Sequence, residues 1–299
     1  MTRILVTGAD GFIGGALFAR LFRDQGQDVL RWTHAMGDLR QPLVCAEAVR
    51  NIDIIYHFAA VTAGAGVVVA DPMALVTSNL VMFATLIDAA HKADVKKFIF
   101  PSSTTGYPDS PEPMREEDYF TGTPFKGYYP IGMTKRYLEQ LAAMYPMDTV
   151  ALRATNVYGP GDNFDPTRSH VIPATIRKVA ERHDPLVVWG DGYDERDAIH
   201  IDDMVEACVR AMALSGHEAI NLGLGHGYSV RDMLAILCGH IGFSPCVTYD
   251  LSKPSLLKKR AVDITKAKML LSWQATISME TGLPATLDWY RDHQRAPGR

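Results

Sequence analysis

Three glycines carry the first chemical signal. In the stretch VTGADGFIGG, Gly8, Gly11 and Gly14 fall between a short apolar run, RILVT, and an apolar-periodic run, FIGGALFARLF. In a strand–turn–helix frame the first glycine allows a tight turn. The second lets backbone approach an anion, and the third lets the helix press on the strand. The helix that follows offers free N–H groups and the positive end of its dipole. This chemistry suits the pyrophosphate of a dinucleotide, held by Gly8, Asp10, Gly11, Phe12, Ile13 and Gly14. The spacing is G-x-x-G-x-x-G rather than G-x-G-x-x-G.

The adenosine end is read further along. An acid at the end of the second strand would hold the ribose 2′-hydroxyl of NAD. That strand ends Trp32-Thr33-His34, without an acid. Arg31 and His34 suit a 2′-phosphate, which favours NADP(H) over NAD(H). Asp10 opposes that phosphate if it points the same way, and Asp38 is placed against the adenine. Leu39 and Ala59 are assigned to the same cofactor.

Elements must position these groups. RILVT (3–7), DVLRWT (28–33), IDIIYHFA (52–59) and KKFIFPSS (96–103) read as strands, and DTVALRATNVYG as one more. Between them lie helical patterns, one from Pro72 through Ala90 and one around Lys135 to Met144. Strands alternating with helices predict βαβ units, an α/β fold with a Rossmann-type doubly wound parallel sheet. After Gly159 the texture changes to GPGDNFDPTRS and the alternation becomes irregular. VIPATIRKVAER reads as a helix, LVVWGDG as a strand and turn, and IDDMVEACVRAMALS as a helix that Asp202 could cap. INLGLG is a strand, and SVRDMLAILCGHIG a helix capped by Ser229. The expected division is a dinucleotide-binding domain over 1–159, rejoined by about 198–224, and a smaller C-terminal α/β substrate lobe within 160–299.

Composition narrows the classes. The 299 residues carry a net charge of -4, and no run of Lys or Arg suggests a nucleic-acid surface, so a nucleic-acid partner is not expected. The tightest basic cluster, Lys258, Lys259 and Arg260, reads as a solvated loop or as a site for a diphosphate. Cys45, Cys208, Cys238 and Cys246 form no C-x-x-C pair, and no metal site is expected. A strand begins almost at once with Ile4, and the apolar stretch Ile54–Ala70 contains His57 and several glycines. The expectation is a cytoplasmic protein without a membrane partner.

Longer motifs then point to a family. GADGFIG, SSTTGYP, the lysine of GMTK and RATNVYGPGDNF resemble the extended short-chain dehydrogenases/reductases of the NAD-dependent epimerase/dehydratase family, which act on nucleotide sugars. DNFDPTRSHVIPATIRK, VVWGDGYDERDAIHIDDM and DLSKPS followed by DITKAK are similar to the GDP-L-fucose synthase group, the GDP-4-keto-6-deoxymannose epimerase-reductases. The resemblance runs over nearly the whole chain. It implies a nucleoside-diphosphate sugar as substrate and a homodimer built on helices at about 73–92 and 133–145.

The resemblance also implies roles, residue by residue. Ser103, four residues before Tyr107, takes the place of the catalytic serine. Lys135 takes that of the lysine that binds the nicotinamide ribose, and His170 that of the acid in epimerisation. Asn156 orients substrate, Trp189 and Arg196 lie near the nucleotide, and Lys178 helps hold the diphosphate. Two positions depart from the pattern. Ile131 stands where the tyrosine of Tyr-x-x-x-Lys belongs, and Thr105 where the cysteine of the epimerisation pair belongs.

Isoleucine has no proton to give. Ketone reduction would then run through Ser103, Thr105, a water, or one of Tyr128 and Tyr129, whose backbone should be extended before Pro130. Epimerisation beside a 4-keto group asks less: a base takes the α proton, hydrogen bonds hold the enolate, and a proton returns. The expected function is therefore a nucleotide-sugar epimerase, with an epimerase/reductase close behind. A ketoreductase with a substitute donor, a catalytically inactive dinucleotide-binding regulator and a structural partner of an active relative stay open.

Overall fold

The computed structural model describes residues 2–25, 28–62, 71, 73, 75–166, 168–252 and 259–294. Pro72, Lys258 and residues 63–70 therefore lie outside the described residues. A six-stranded parallel sheet is built from β1 (Ile4–Thr7), β2 (Val29–Trp32), β3 (Ile54–His57), β4 (Lys97–Ser103), β5 (Asp148–Ala154) and β10 (His217–Leu222). Its order is β10-β5-β4-β3-β1-β2. The chain reverses direction of travel between β1 and β3, and such a switch point is where doubly wound sheets take their ligands.

Alternation along the strands decides which helices cover which face. Ile4 and Val6 join a core with Leu17 and Leu21 of α1 (Phe12–Gln25) and Met204 and Cys208 of α6 (Ile201–Ala211). Leu5 points the other way. It joins Cys45 of α2 (Pro42–Ala48), Phe83 and Leu86 of α3 (Val76–Lys92), and Leu138 of α4 (Tyr129–Ala143). A separate core gathers α5 (Val171–Ala180), α7 (Val230–Ile241) and α9 (Met279–Gln294) around the strand pair β7 (Leu186–Trp189) and β12 (Val247–Asp250). β10 lies beside β5 in the large sheet, and α8 (Thr265–Leu271) packs on β10. Among the described residues no helix is long and apolar enough to cross a membrane.

Local signals were read correctly at one cap and misread at another. Ser229 caps α7 with a reciprocal box: its Oγ accepts from the Asp232 N–H, and Asp232 accepts from the Ser229 N–H. α6, however, is capped by His200 and not by Asp202. β9 (Ala198–His200) runs straight into the helix, and His200 Nδ1 accepts the Asp202 N–H at 3.3 Å. Asp202 sits inside the first turn, where a carboxylate meets the positive end of the helix dipole.

Two further expectations need correction. DTVALRATNVYG is not one strand. The chain leaves the large sheet at Thr155, and β6 (Asn156–Tyr158) pairs with β9 instead. The helix expected around Lys135 begins six residues earlier, at Tyr129. Tyr129 is helical (φ -51°, ψ -52°) and Tyr128 is not extended either (φ -118°, ψ 10°). Pro130 falls in the first turn, where its missing N–H costs nothing, and this outweighs the usual bias of a residue before proline.

Candidate active site

The glycine loop sits at the switch point. Gly8 has φ 66° and donates its N–H to Trp32 O at 2.9 Å. A Cβ there would come within 2.6 Å of Ala59 N, so the turns after β1 and β3 touch. A Cβ on Gly14 would fall onto the carbonyl oxygen of Gly8, which is why α1 can press so closely on the turn. Gly11 donates to Gly8 O at 2.9 Å, and the leading N–H groups at Phe12 and Ile13 have no acceptor within the helix. This cradle fits the pyrophosphate of a dinucleotide. Ala59 contributes through its backbone, with its N–H on Thr7 Oγ1 at 3.2 Å.

Residues assigned to the adenosine end divide. The side chains of Arg31 and His34 are exposed and make no hydrogen bond or ion pair among the described residues. Asp10 is exposed as well. Asp38 is committed within the chain: Arg40 grips both carboxylate oxygens at 2.7–3.0 Å, which pulls the carboxyl down to about 2. Its free edge for an adenine is correspondingly reduced. Leu39 is a core residue at 4% exposure, so its backbone alone can face a ligand.

The end of β4 collects three of the expected groups. Ser103 Oγ accepts the Thr105 N–H at 3.2 Å. Thr105 Oγ1 is buried and bonds to nothing among the described residues. α4 lies directly against them, since a Cβ on Gly132 would collide with the Thr105 carbonyl. Ile131 precedes Lys135 by one turn of that helix and is half-buried. Lys135 Nζ donates to Pro101 O at 2.9 Å. Burial brings its ammonium down to about 8, while Glu139 works in the opposite direction. His57, at the end of β3, bonds Thr7 Oγ1 through Nδ1 at 2.9 Å. Burial, helped by the charge of Lys135, lowers His57 to about 3, so it stays neutral.

Beneath this strand end is a polar network that the sequence did not announce. Arg153 and Glu139, 2% and 5% exposed, pair at 2.7 Å. Ser102 Oγ donates to Glu139, and Tyr119 lies with its hydroxyl 3.1 Å from Ser102 Oγ and from Ser103 O. The Arg153 guanidinium stacks 3.6 Å from the Tyr119 ring centre. One sequence signal was present: Arg153 is a charge inside the apolar strand run ALRA, and buried charges need partners.

The remaining groups stand on other elements. His170 precedes α5, is exposed and bonds to none of Ser103, Thr105 or Lys135. Desolvation by the surrounding chain lowers its imidazole below the ordinary value, an effect its exposed surface limits. Asn156 is tied down through its amide to Asp197 O at 2.9 Å. Lys178 Nζ donates to Val187 O at 2.8 Å, and Trp189 is 56% exposed on the strand beside it.

Arg196 comes close to Arg260. Arg260 is 8% exposed and its Nη2 has no partner among the described residues. Burial lowers it to about 10, and the charge of Arg196 pushes the same way. Arg196 Nη2 pairs with Asp194 at 3.3 Å, which leaves the buried Arg260 as the cation here with an open nitrogen among the described residues. Tyr128 places its ring 5.2 Å from the Arg260 guanidinium, so it stands beside Arg260.

Comparisons with known proteins give the family and the fold. The profile of the NAD dependent epimerase/dehydratase family matches residues 4–223. The GDP-L-fucose synthase of Escherichia coli is 30% identical over 98% of this chain and 97% of its own length. The dTDP-4-dehydro-6-deoxy-D-allose reductase of Streptomyces bikiniensis is 26% identical over 98% and 97%. Among solved structures, MoeE5 in complex with UDP-glucose and NAD superposes with TM-score 0.86 at 27% identity, covering 98% of this chain and 99% of that one. A GDP-6-OMe-4-keto-L-xylo-heptose reductase from C. jejuni shares the fold with TM-score 0.89 at 23% identity and 98% coverage of both.

Proposed function

Because the chain belongs to the NAD dependent epimerase/dehydratase family, we propose that it epimerises a GDP-linked 4-keto-6-deoxy sugar. It is an NAD(P)-dependent nucleotide-sugar enzyme of the extended short-chain dehydrogenase type. The observation that carries the finer reading is the make-up of the strand end. Hydrogen-bonding groups remain at Ser103, Thr105 and Lys135, while the helix position one turn before Lys135 holds a hydrocarbon, Ile131. Ketone reduction needs a proton for the alkoxide, and a placed acid is worth about 10²–10⁴ in rate. Proton exchange beside the ketone does not need that donor.

Each residue then has a task. His170, whose pKa is lowered by desolvation, is one partner in the proton exchange at the carbon next to the ketone, taking a proton when neutral and giving it back as the acid. The Ser103 hydroxyl donates to the developing enolate oxygen. A water beside the Thr105 hydroxyl returns the proton on the other face. Lys178, Arg196 and Arg260 face the diphosphate, Trp189 lies near the nucleotide, and Asn156 orients the sugar. Lys135 donates to the nicotinamide ribose. Arg31 and His34 favour NADP(H), which when bound supplies or accepts a hydride. Residues 1–159 and 198–224 serve the cofactor, and most of 160–299 serves the sugar nucleotide.

The GDP assignment draws on the name of the Escherichia coli relative. We further place the enzyme in the cytoplasm as a homodimer. Met133 and Tyr137, 40% and 53% exposed on α4, and Val81, 42% exposed on α3, supply an apolar surface for the second copy.

The test is solvent exchange. A 4-keto-6-deoxy GDP-sugar incubated in D₂O should gain deuterium at C3 or C5, and His170→Asn should abolish that gain. Rapid NADPH-dependent reduction without exchange would overturn the epimerase reading. It would favour the second reading, ketone reduction, for which the unpartnered Thr105 hydroxyl is the observation in hand.

A further inference from the structure

Asp197 lies in the link between β8 (Glu195–Arg196) and β9, and it is 1% exposed. Its carboxylate is held by three backbone N–H groups from two distant segments. Oδ1 accepts from Leu224 at 2.8 Å, and Oδ2 accepts from Gly225 at 3.1 Å and from Val262 at 3.2 Å. The fit is close, since a Cβ on Gly223 would come within 2.7 Å of Oδ2.

The backbone of Asp197 is occupied as well. Its N–H donates to Arg260 O at 2.9 Å. Its carbonyl oxygen accepts the Asn156 side-chain amide at 2.9 Å and the Asn156 N–H at 3.4 Å. One residue thus gathers the start of β6, the β8–β9 link, the turn after β10 and the stretch 260–262. Three residues assigned to the sugar nucleotide, Asn156, Arg196 and Arg260, stand on the segments so gathered. Lys178, assigned to the same diphosphate, is held by Val187 O instead.

The chemistry of the clasp needs a carboxylate. Burying a charge is costly, and hydrogen bonds from N–H groups offset that cost. An ionised carboxylate only accepts, so all three N–H groups can be satisfied. A side-chain amide has one accepting and one donating end, so in either orientation at least one N–H would face a donor.

We propose that Asp197 is a positioning residue for the sugar-nucleotide end of the cleft: it touches no ligand, and it sets Asn156, Arg196 and Arg260 in register with one another. The inference rests on the nucleotide-sugar reading above.

The experiment measures GDP affinity by calorimetry and NADPH affinity by fluorescence on the full chain, with melting temperature as the control for folding. Asp197→Asn should weaken GDP by roughly tenfold and leave NADPH affinity as it is. A double-mutant cycle then separates positioning from a merely structural role. Combined with Arg196→Gln, the loss should be smaller than the product of the two single losses. Combined with Lys178→Gln, the losses should multiply. Where Asp197→Asn does not fold, Gly223→Ala, which pushes on the same carboxylate, gives the same readout. GDP affinity unchanged by the substitution would overturn the proposal. So would an equal loss for NADPH, or losses that multiply with Arg196→Gln. A native chain that binds no GDP would remove the GDP-sugar reading and this proposal with it, whereas native binding with an indifferent variant removes this proposal alone.

Discussion

Tyr119 donates its hydroxyl to the backbone carbonyl of Ser103 at 3.1 Å. The group expected to touch the substrate ketone is thus held from beneath by a side chain that has no solvent exposure. Behind Tyr119 stand the Arg153–Glu139 pair and Ser102, and Glu139 lies one turn beyond Lys135 on α4. The strand end and the helix are therefore locked through one buried network, and its energetics can be tested.

Tyr119→Phe keeps the ring under Arg153 and removes the hydroxyl. Stability should fall by about 1–2 kcal/mol, the ordinary worth of a lost buried hydrogen bond with an acceptor left open. The catalytic rate should fall further than binding, because Ser103 loses its anchor while the anion site is untouched. Denaturation and steady-state kinetics on the same preparation check this. An unchanged rate would mean that Ser103 is positioned without Tyr119.

Glu139→Ala leaves the Arg153 guanidinium buried without its carboxylate. Such a break costs about 3–5 kcal/mol, far more than an exposed pair. Arg20, about a third exposed and paired with both Asp24 and Glu206, is the contrast. Arg20→Ala should cost under about 1 kcal/mol. Urea midpoints of the two variants compare them directly.

The glycines allow a similar contrast. Gly14→Ala places a methyl on the Gly8 carbonyl, so α1 must move back from the cradle. Affinity for NADPH should drop by at least about tenfold, equivalent to about 1.4 kcal/mol. Gly239, within α7, meets nothing within 4 Å. Gly239→Ala should instead stabilise by up to about 1 kcal/mol through helix propensity alone. Fluorescence titration and melting curves report both.

Lys135 predicts a pH dependence. Its folded value of about 8 lies below the ordinary 10.5, because burial disfavours the ammonium. Between those values the unfolded chain binds more protons, so this group's contribution to stability rises with pH from about 8 to about 10.5. At neutral pH the buried charge costs stability. Lys135→Met should therefore raise the melting temperature slightly at pH 7, by an amount on the order of 1 kcal/mol, and lose the difference above pH 10. Cofactor binding should weaken in the same variant. A melting temperature that drops at pH 7 would show that the bond to Pro101 O outweighs desolvation.

How much of this could be read from the sequence depends on distance along the chain. The glycine cradle, the strand alternation of Ile4, Leu5 and Val6, and the Ser229–Asp232 cap are local, and residue types alone carry them. Tyr129 was misread because a local rule about the residue before proline competes with helix initiation. The approach of Arg260 to Arg196 and of Tyr119 to Ser103 is tertiary, and nothing in either neighbourhood announces the partner. Arg153 was half legible: a charge in an apolar strand demands a partner but does not name it.

Ile131 returns the argument to the chemistry. It lies one turn before Lys135, on the helix that packs directly on Thr105 through Gly132, and it is half-buried, so a longer side chain there has somewhere to extend. Ile131→Tyr would put a phenol beside an ammonium already brought down to about 8. An adjacent cation favours the phenolate, lowering the phenol pKa toward the working range of an acid catalyst. Reduction of a 4-keto-6-deoxy GDP-sugar by NADPH should then rise by about 10²–10⁴, the range for one well-placed proton donor. Deuterium exchange at C3 or C5 should stay near the native rate, since His170 and Ser103 are unchanged. NADPH oxidation followed at 340 nm, with exchange read by mass spectrometry, separates the two. If reduction does not rise while the variant folds and binds NADPH, a missing proton is not what limits reduction in the native chain. The assignment of Ile131 as the lost acid position then fails.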